Sequence, residues 1–173
     1  QMKTTPDAKV SNLLRFGMVM DLDYNMDKSE FYGRGPIENY IDRKASQNIG
    51  IYKQTADQQF YPFIRPQETG TKSDIRWWKQ TTAEGLGFCI TAVNNYFDAC
   101  ALHYNISDLD EGDQKAQRHS PEVPKSKYTE LSINLAHFGL GGENSWGSWP
   151  LQQHRLSYQD MTFTFHLTPL GVK

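Results

Sequence analysis

Hydrophobic and polar residues alternate with a period of two along several stretches of this chain. In MVMDLD, Met18, Met20 and Leu22 share one face, while Val19, Asp21 and Asp23 share the other. LSINL repeats the pattern with Leu131, Ile133 and Leu135, and TFTFHL repeats it with Phe163, Phe165 and Leu167. Successive side chains of a strand point to opposite faces, so these runs predict half-buried strands of an antiparallel sheet. GFCITAV (residues 87–93) is mostly apolar and predicts a strand covered on both sides. DIRWWKQ predicts one strand with Trp77 and Trp78 on opposite faces, at least one of them in the core.

Turn-forming clusters separate these runs: GRGP, RPQETG, AEGLG, GLGG and TPLG. Only SDLDEGDQKAQRHSPEVP reads as helical. Ser107 with Asp110 three residues on resembles a capping box, Leu109 and Ala116 begin an apolar stripe, and Pro121 closes the segment. Many short strands and one short helix predict an all-β fold, an antiparallel β-sandwich. A length of 173 residues predicts a single domain over 1–173. Residues 1–12 are expected to be a flexible N-terminal segment.

Charge and composition narrow the function. Basic and acidic side chains number 18 and 20, so the basic patch that nucleic acid or an anionic membrane requires is not expected. No apolar run reaches the roughly 18 residues that span a bilayer. The opening QMKTTPDAKV has no apolar signal-peptide core. The location is left between the cytoplasm and the periplasm of a bacterium. Cys89 and Cys100 are two buried thiols, or a pair if their strands are neighbours.

Candidate chemistry is sparse. Asp108, Asp110, Glu111 and Asp113 fail the register of a calcium loop, because Gly112 falls at its fifth position; they read as a solvated helix N-terminus. His103, His119, His137, His154 and His166 show no HxH or HExxH spacing, so no metal site is expected. His166 lies opposite its strand's apolar face and is expected to be exposed. Glu38, Asp42, Glu68 and Glu143 read as turn or ion-pair residues, with Arg43 and Lys44 supplying partners beside Asp42. No spacing shows that two of these carboxylates converge, and no catalytic residue is expected. NIS at Asn105 matches a glycosylation sequon, which matters only in a secretory eukaryotic setting.

One residue stands apart. Trp146 sits in GLGGENSWGSWP (residues 139–150), a turn that bends towards water. It either folds back onto the sheet or offers a stacking platform for the C–H face of a sugar, with Asn144 and Ser145 as polar neighbours. Aromatic residues on loops of a rigid β scaffold are frequent binding residues.

Three segments resemble the C-terminal domain of family 2 β-galactosidases. FYGRGPIENYIDRK (residues 31–44) is similar to its G-x-G-P-x-E-N-Y-x-D-R segment. YPFIRPQETGTKSDIRWW (residues 61–78) is similar to its Y-x-x-P-Q/S-E-N-G stretch. LSINLAHFGLGGENSWG (residues 131–147) is similar to its L-N-I-D-x-x-x-M-G-x-G-G-D-D-S-W motif. The motifs keep the family's order and approximate separations, and the likeness runs from about residue 15 to residue 170.

The resemblance implies an antiparallel supersandwich similar to galactose mutarotases, of which this chain is the later part. It implies a retaining β-galactosidase whose catalytic glutamates lie on a separate (β/α)8 barrel, so the fragment alone is expected to be inactive. Trp146 matches the tryptophan that this domain lends to the aglycone subsite. Implied partners are a β-galactoside sugar, the barrel and other domains of the parent chain, and further copies in a homo-oligomer. No cofactor is expected in the fragment; Mg2+ and Na+ would be bound by other domains. Glu143 and Asn144 replace two aspartates of the motif, and Thr69 replaces an asparagine. Ala136 and His137 fall in a variable part, and Trp149 competes with Trp146 for the stacking role. The alternative is a stand-alone carbohydrate-binding module using Trp146 and Trp149. A purely structural buttress, and an aldose epimerase needing a convergent histidine and carboxylate, are further readings.

Overall fold

Residues 18–23 and 131–135 each lie within one strand, whereas 162–167, read as one strand, is divided between two strands of different sheets. The structure, a computed structural model, describes residues 2–3, 11–110, 118–141, 144 and 147–171. Along the chain lie β1 (Met2–Lys3), β2 (Asn12–Leu13), β3 (Arg15–Asp23), β4 (Lys28–Gly35) and β5 (Asn48–Thr55), then α1 (Ala56–Gln59). β6 (Lys72–Ile75), β7 (Trp77–Thr81), β8 (Gly87–Ala92) and β9 (Phe97–Leu102) precede α2 (Ile106–Leu109). β10 (Tyr128–His137), β11 (Leu156–Ser157), β12 (Thr162–Phe163) and β13 (Phe165–Leu170) complete the series.

Two antiparallel sheets carry the fold, one ordered β3-β10-β9-β6 and the other β13-β8-β7-β4-β5. Two ribbons, β1-β12 and β11-β2, flank them. Leu131 is opposite Met20 on one side and Ala101 on the other; Ile133 is opposite Met18 and Ala99. The middle of one face of the four-stranded sheet is therefore apolar, with Thr129 on the same face opposite Leu22. Across the second sheet, Phe31 pairs with Trp78 and Trp78 with Ile90. These two faces meet in a single core, in which Phe31 and Trp78 stack with ring centroids 4.9 Å apart. Each such side chain contributes roughly 1.5–3 kcal/mol through burial. The fold is the all-β antiparallel sandwich that the alternation predicts.

Three local expectations change. DIRWWKQ is a corner rather than one strand: β6 belongs to the four-stranded sheet and β7 to the five-stranded one. Asp74 adopts a positive φ of 55° just before the crossing, and the Arg76 amide donates to the Tyr32 carbonyl at 2.7 Å. Trp78 is buried, whereas Trp77 is half-buried on the other face. β8, expected to be covered on both faces, buries only Ile90 fully and exposes Thr91. It lies in an antiparallel sheet with one side towards solvent, where a run of small and apolar residues is tolerated. At the edge strand β13, His166 is exposed as expected, and Leu167 is exposed too.

The helical reading also shifts. α2 begins at Ile106 with Asn105 at its N-cap, so Ser107 lies inside the turn rather than capping it. Gly112, Asp113 and Ala116 lie outside the described residues, as does Glu111. Pro121 falls in a separate 3-10 turn, Ser120–Glu122. A second helical turn, α1, follows from Thr55-x-x-Gln58, a full capping box. Both cysteines are free, Cys89 in one sheet and Cys100 in the other.

The outer face of the four-stranded sheet is also covered. Alternation turns Cys100, Leu102, Glu130, Ser132 and Asn134 away from the main core, yet all five are buried. Leu109 and Val123 pack with Cys100 and Leu102 there, joined by Phe60 and Tyr104. This polar second layer, beneath long connections, positions the candidate site.

Candidate functional site

Trp146 lies outside the described residues, together with Gly142, Glu143 and Ser145. The flanks of its turn are described. Gly147 has φ +89°, a left-handed conformation that favours glycine. Trp149 is 59% exposed, meets Phe138 edge-on at 5.8 Å, and has the Arg155 guanidinium 5.4 Å from its ring centroid. Arg155 Nε donates to the Pro150 carbonyl at 2.7 Å, which holds that cation in place.

The segment 36–44 ties the other two motifs together. Glu38 accepts from the Gly70 amide at 2.8 Å and from Thr69 Oγ1 at 3.1 Å, and pairs with Arg43. Asn39 is fully buried; its amide nitrogen donates to the Arg34 and Ile37 carbonyls at 3.0 and 2.9 Å, and its oxygen accepts from the Ser73 amide at 3.0 Å. A buried asparagine is tolerable only when its groups are satisfied in this way. Tyr40 donates to Glu68 Oε1 at 3.5 Å, and burial pushes its hydroxyl pKa upwards. Asp42 Oδ2 accepts from the Gly141 amide at 2.7 Å. Glu38, Asp42 and Glu68 thus serve turns and ion pairs, as the sequence suggests. The expected partners of Asp42 do not pair with it: Arg43 turns to Glu38, and Lys44 to Asp74 at 3.0 Å. Neighbours in a tight turn project in different directions, so adjacency in sequence does not bring their charges together.

Beside this junction lies a cavity of about 300 Å3. Leu14, Leu102, Ile106, Leu109, Phe138 and Leu140 supply most of its wall. Arg15, Glu68, Thr69, Asp110 and His137 are the polar residues of its lining. Arg15 reaches Glu68 Oε2 in an ion pair, and Thr71 Oγ1 donates to Glu68 Oε1 at 3.0 Å. His137 Nδ1 lies 2.7 Å from the Phe138 carbonyl, an acceptor, so Nδ1 donates to it. Burial lowers the pKa of this imidazole, against the pull of Glu68. Nearby, burial pushes the Cys100 thiol up to about 12, which makes it an inert thiol.

The histidine and carboxylate do converge: His137 Nε2 is 3.8 Å from Glu68 Oε1. Sequence spacing could not show it. The two residues lie on different elements, and a register shift between Asn134 and Ala136 sets where His137 falls. Among the described residues, no group of three or more His, Cys, Asp and Glu is placed to hold a metal ion, and no helix is long and apolar enough to cross a membrane.

Residues 1–167 match the family model described as "Beta galactosidase small chain". A β-galactosidase of Priestia megaterium is 32% identical over 95% of this chain, which covers 16% of that relative. β-Galactosidase of Lactobacillus delbrueckii subsp. bulgaricus is 34% identical over 82% of the chain, and BgaC of Bifidobacterium adolescentis is 33% identical over 82%. The chain covers 13% of the length of each of these two.

Proposed function

The chain belongs to the β-galactosidase small-chain family, and we propose that it acts as the later part of the C-terminal domain of a retaining, family 2 β-galactosidase. The parent protein would cleave terminal β-galactosides through a covalent glycosyl-enzyme, with two carboxyl groups about 5–5.5 Å apart on another domain. This piece would carry no catalytic residue. It would lend Trp146 to the aglycone subsite and brace the neighbouring barrel. Its sandwich would belong to the mutarotase-like supersandwiches, and any Mg2+ or Na+ would sit on other domains.

The observation that carries this reading is the junction at residues 36–44. Asp42 grips Gly141 five residues before Trp146, and Glu38 grips Gly70. Asp42 thus holds the glycine turn in place, as expected of a loop that must present one aromatic accurately to a neighbour. The test is Trp146→Ala in the parent enzyme. KM for lactose should rise more than KM for an aryl galactoside, because the aryl group does not need the sugar platform. Equal effects on both substrates, or none, would count against the assignment.

A further inference from the structure

β13 ends the five-stranded sheet, and among the described residues no strand pairs with its other side. The Val93 amide donates to the Thr164 carbonyl at 2.9 Å, in the register that β8 and β13 then continue. Hydrogen-bonded pairs of an antiparallel ladder recur at every second residue. The backbone groups of His166 and Thr168 therefore face β8, and those of Phe165 and Leu167 point to the open edge. Pro169 falls in the outward set, where its missing N–H costs the ladder with β8 nothing. An open edge of this kind is a template for another strand.

The same edge opens into the core. Leu167 lies directly opposite Ile90, so the two side chains share a face, yet Ile90 is fully buried and Leu167 is 47% exposed. β3 is the edge of the other sheet that lies far from the corner between β6 and β7. There Met18, Met20 and Leu22 pack against the core but are only partly buried. Core-facing apolar side chains left wet along one side of a sandwich mark a surface that another element covers.

The register of β1 identifies that element. β1 runs antiparallel to β12, with Met2 opposite Phe163 and Lys3 opposite Thr162. Its direction carries the chain upstream of β1 towards β13, which follows β12 after one residue. At the same register, the residue before Gln1 falls opposite Phe165 and the third before it opposite Leu167. These are the two positions whose N–H and C=O face outwards, and β8 already occupies the inner side. The chain spans 13–16% of the length of its relatives, so a parent protein of that kind has further chain to supply.

We infer that β13 is a docking edge for the stretch of the parent chain immediately before Gln1, which adds to it as an antiparallel strand. Apolar side chains at the first and third positions before Gln1 cover Phe165 and Leu167, because directly opposed residues share a face. The inference rests on the reading of this chain as part of a longer β-galactosidase.

The test uses the full parent protein in a Cys89→Ser background, because Cys89 lies diagonal to His166 across β8 and β13. Cysteines replace His166 and the second residue before Gln1, which this register places directly opposite one another and outside the core. Mild oxidation should join them, since opposed residues of an antiparallel pair lie within the Cα span of a disulfide. Mass spectrometry of the linked peptide reads the result. Moving the upstream cysteine by one residue turns it to the other face and should largely abolish the link. In the unsubstituted protein, the Leu167 amide should exchange with solvent at least about a hundredfold more slowly than an unpaired amide. A freely exchanging Leu167 amide, or a link favoured at the shifted position, would overturn the inference. So would a disulfide between two chains that carry His166→Cys alone, which would give the edge to a second copy. A native polypeptide no larger than this chain would overturn the hydrolase reading as well, whereas a longer parent with an open edge at Leu167 overturns the inference alone.

Discussion

The Asp42 carboxylate holds the Gly141 amide at 2.7 Å, across 99 residues of chain. This contact joins the turn at 36–44 to the strand-to-loop exit after β10. The same loop is held from its other side, where the Gly139 amide donates to the His154 carbonyl at 2.8 Å. Asp42→Ala should free the Gly141 amide to exchange with solvent much faster, and should cost about 1 kcal/mol of stability. Amide hydrogen exchange followed by mass spectrometry reads the first effect and chemical denaturation the second. Unchanged protection at Gly141 would show that Asp42 does not anchor the loop.

Gly139 is constrained by the same carboxylate. A Cβ at this position would come within 2.6 Å of Asp42 Oδ2 and 3.1 Å of His154 Cβ. Gly139→Ala should therefore destabilise the chain by roughly 1–3 kcal/mol through overpacking. The cost should shrink markedly in an Asp42→Ala background, where the clashing oxygen is gone. A double-mutant cycle measures this, and additive losses would place the strain elsewhere.

Lys72 supplies a pH dependence. It is 1% exposed, its ammonium donates to the Gly70 carbonyl at 2.6 Å, and burial pulls its pKa from 10.5 down to about 8. Between pH 8 and 10.5 the unfolded chain binds more protons at this site than the native one. Stability must then rise with pH across that window, by an amount on the order of 3 kcal/mol if fully developed. Below pH 8 the cost of the buried cation is fully present. Denaturation curves of wild type and Lys72→Met should show wild type gaining on the variant as pH rises from 8 to 10. A constant difference would mean that Lys72 stays charged throughout.

Much of the scaffold is legible in the amino-acid order. Leu131, Ile133 and Phe163 alternate with polar neighbours, Met18 and Met20 alternate with Val19 and Asp21, and all five reach or pack against the core. Alternation works because strand side chains obey a local rule, and burial of one face then follows. Thr55-x-x-Gln58 is equally local, a capping signal readable over four residues. DIRWWKQ misleads because nothing within seven residues says that a chain changes sheets at Arg76.

The sheet-forming segments, the family and the three motifs can all be read along the chain, since each depends on residues close together in it. What the motifs hold is settled only by folding. Asp42 ignores its neighbours Arg43 and Lys44 for an amide 99 residues away. Glu68 and His137 face one another because a turn and the end of β10 fold over the same sheet face. Electrostatic and hydrogen-bond partners are chosen by distance in space, and a one-dimensional pattern records only the alternation that builds the scaffold around them.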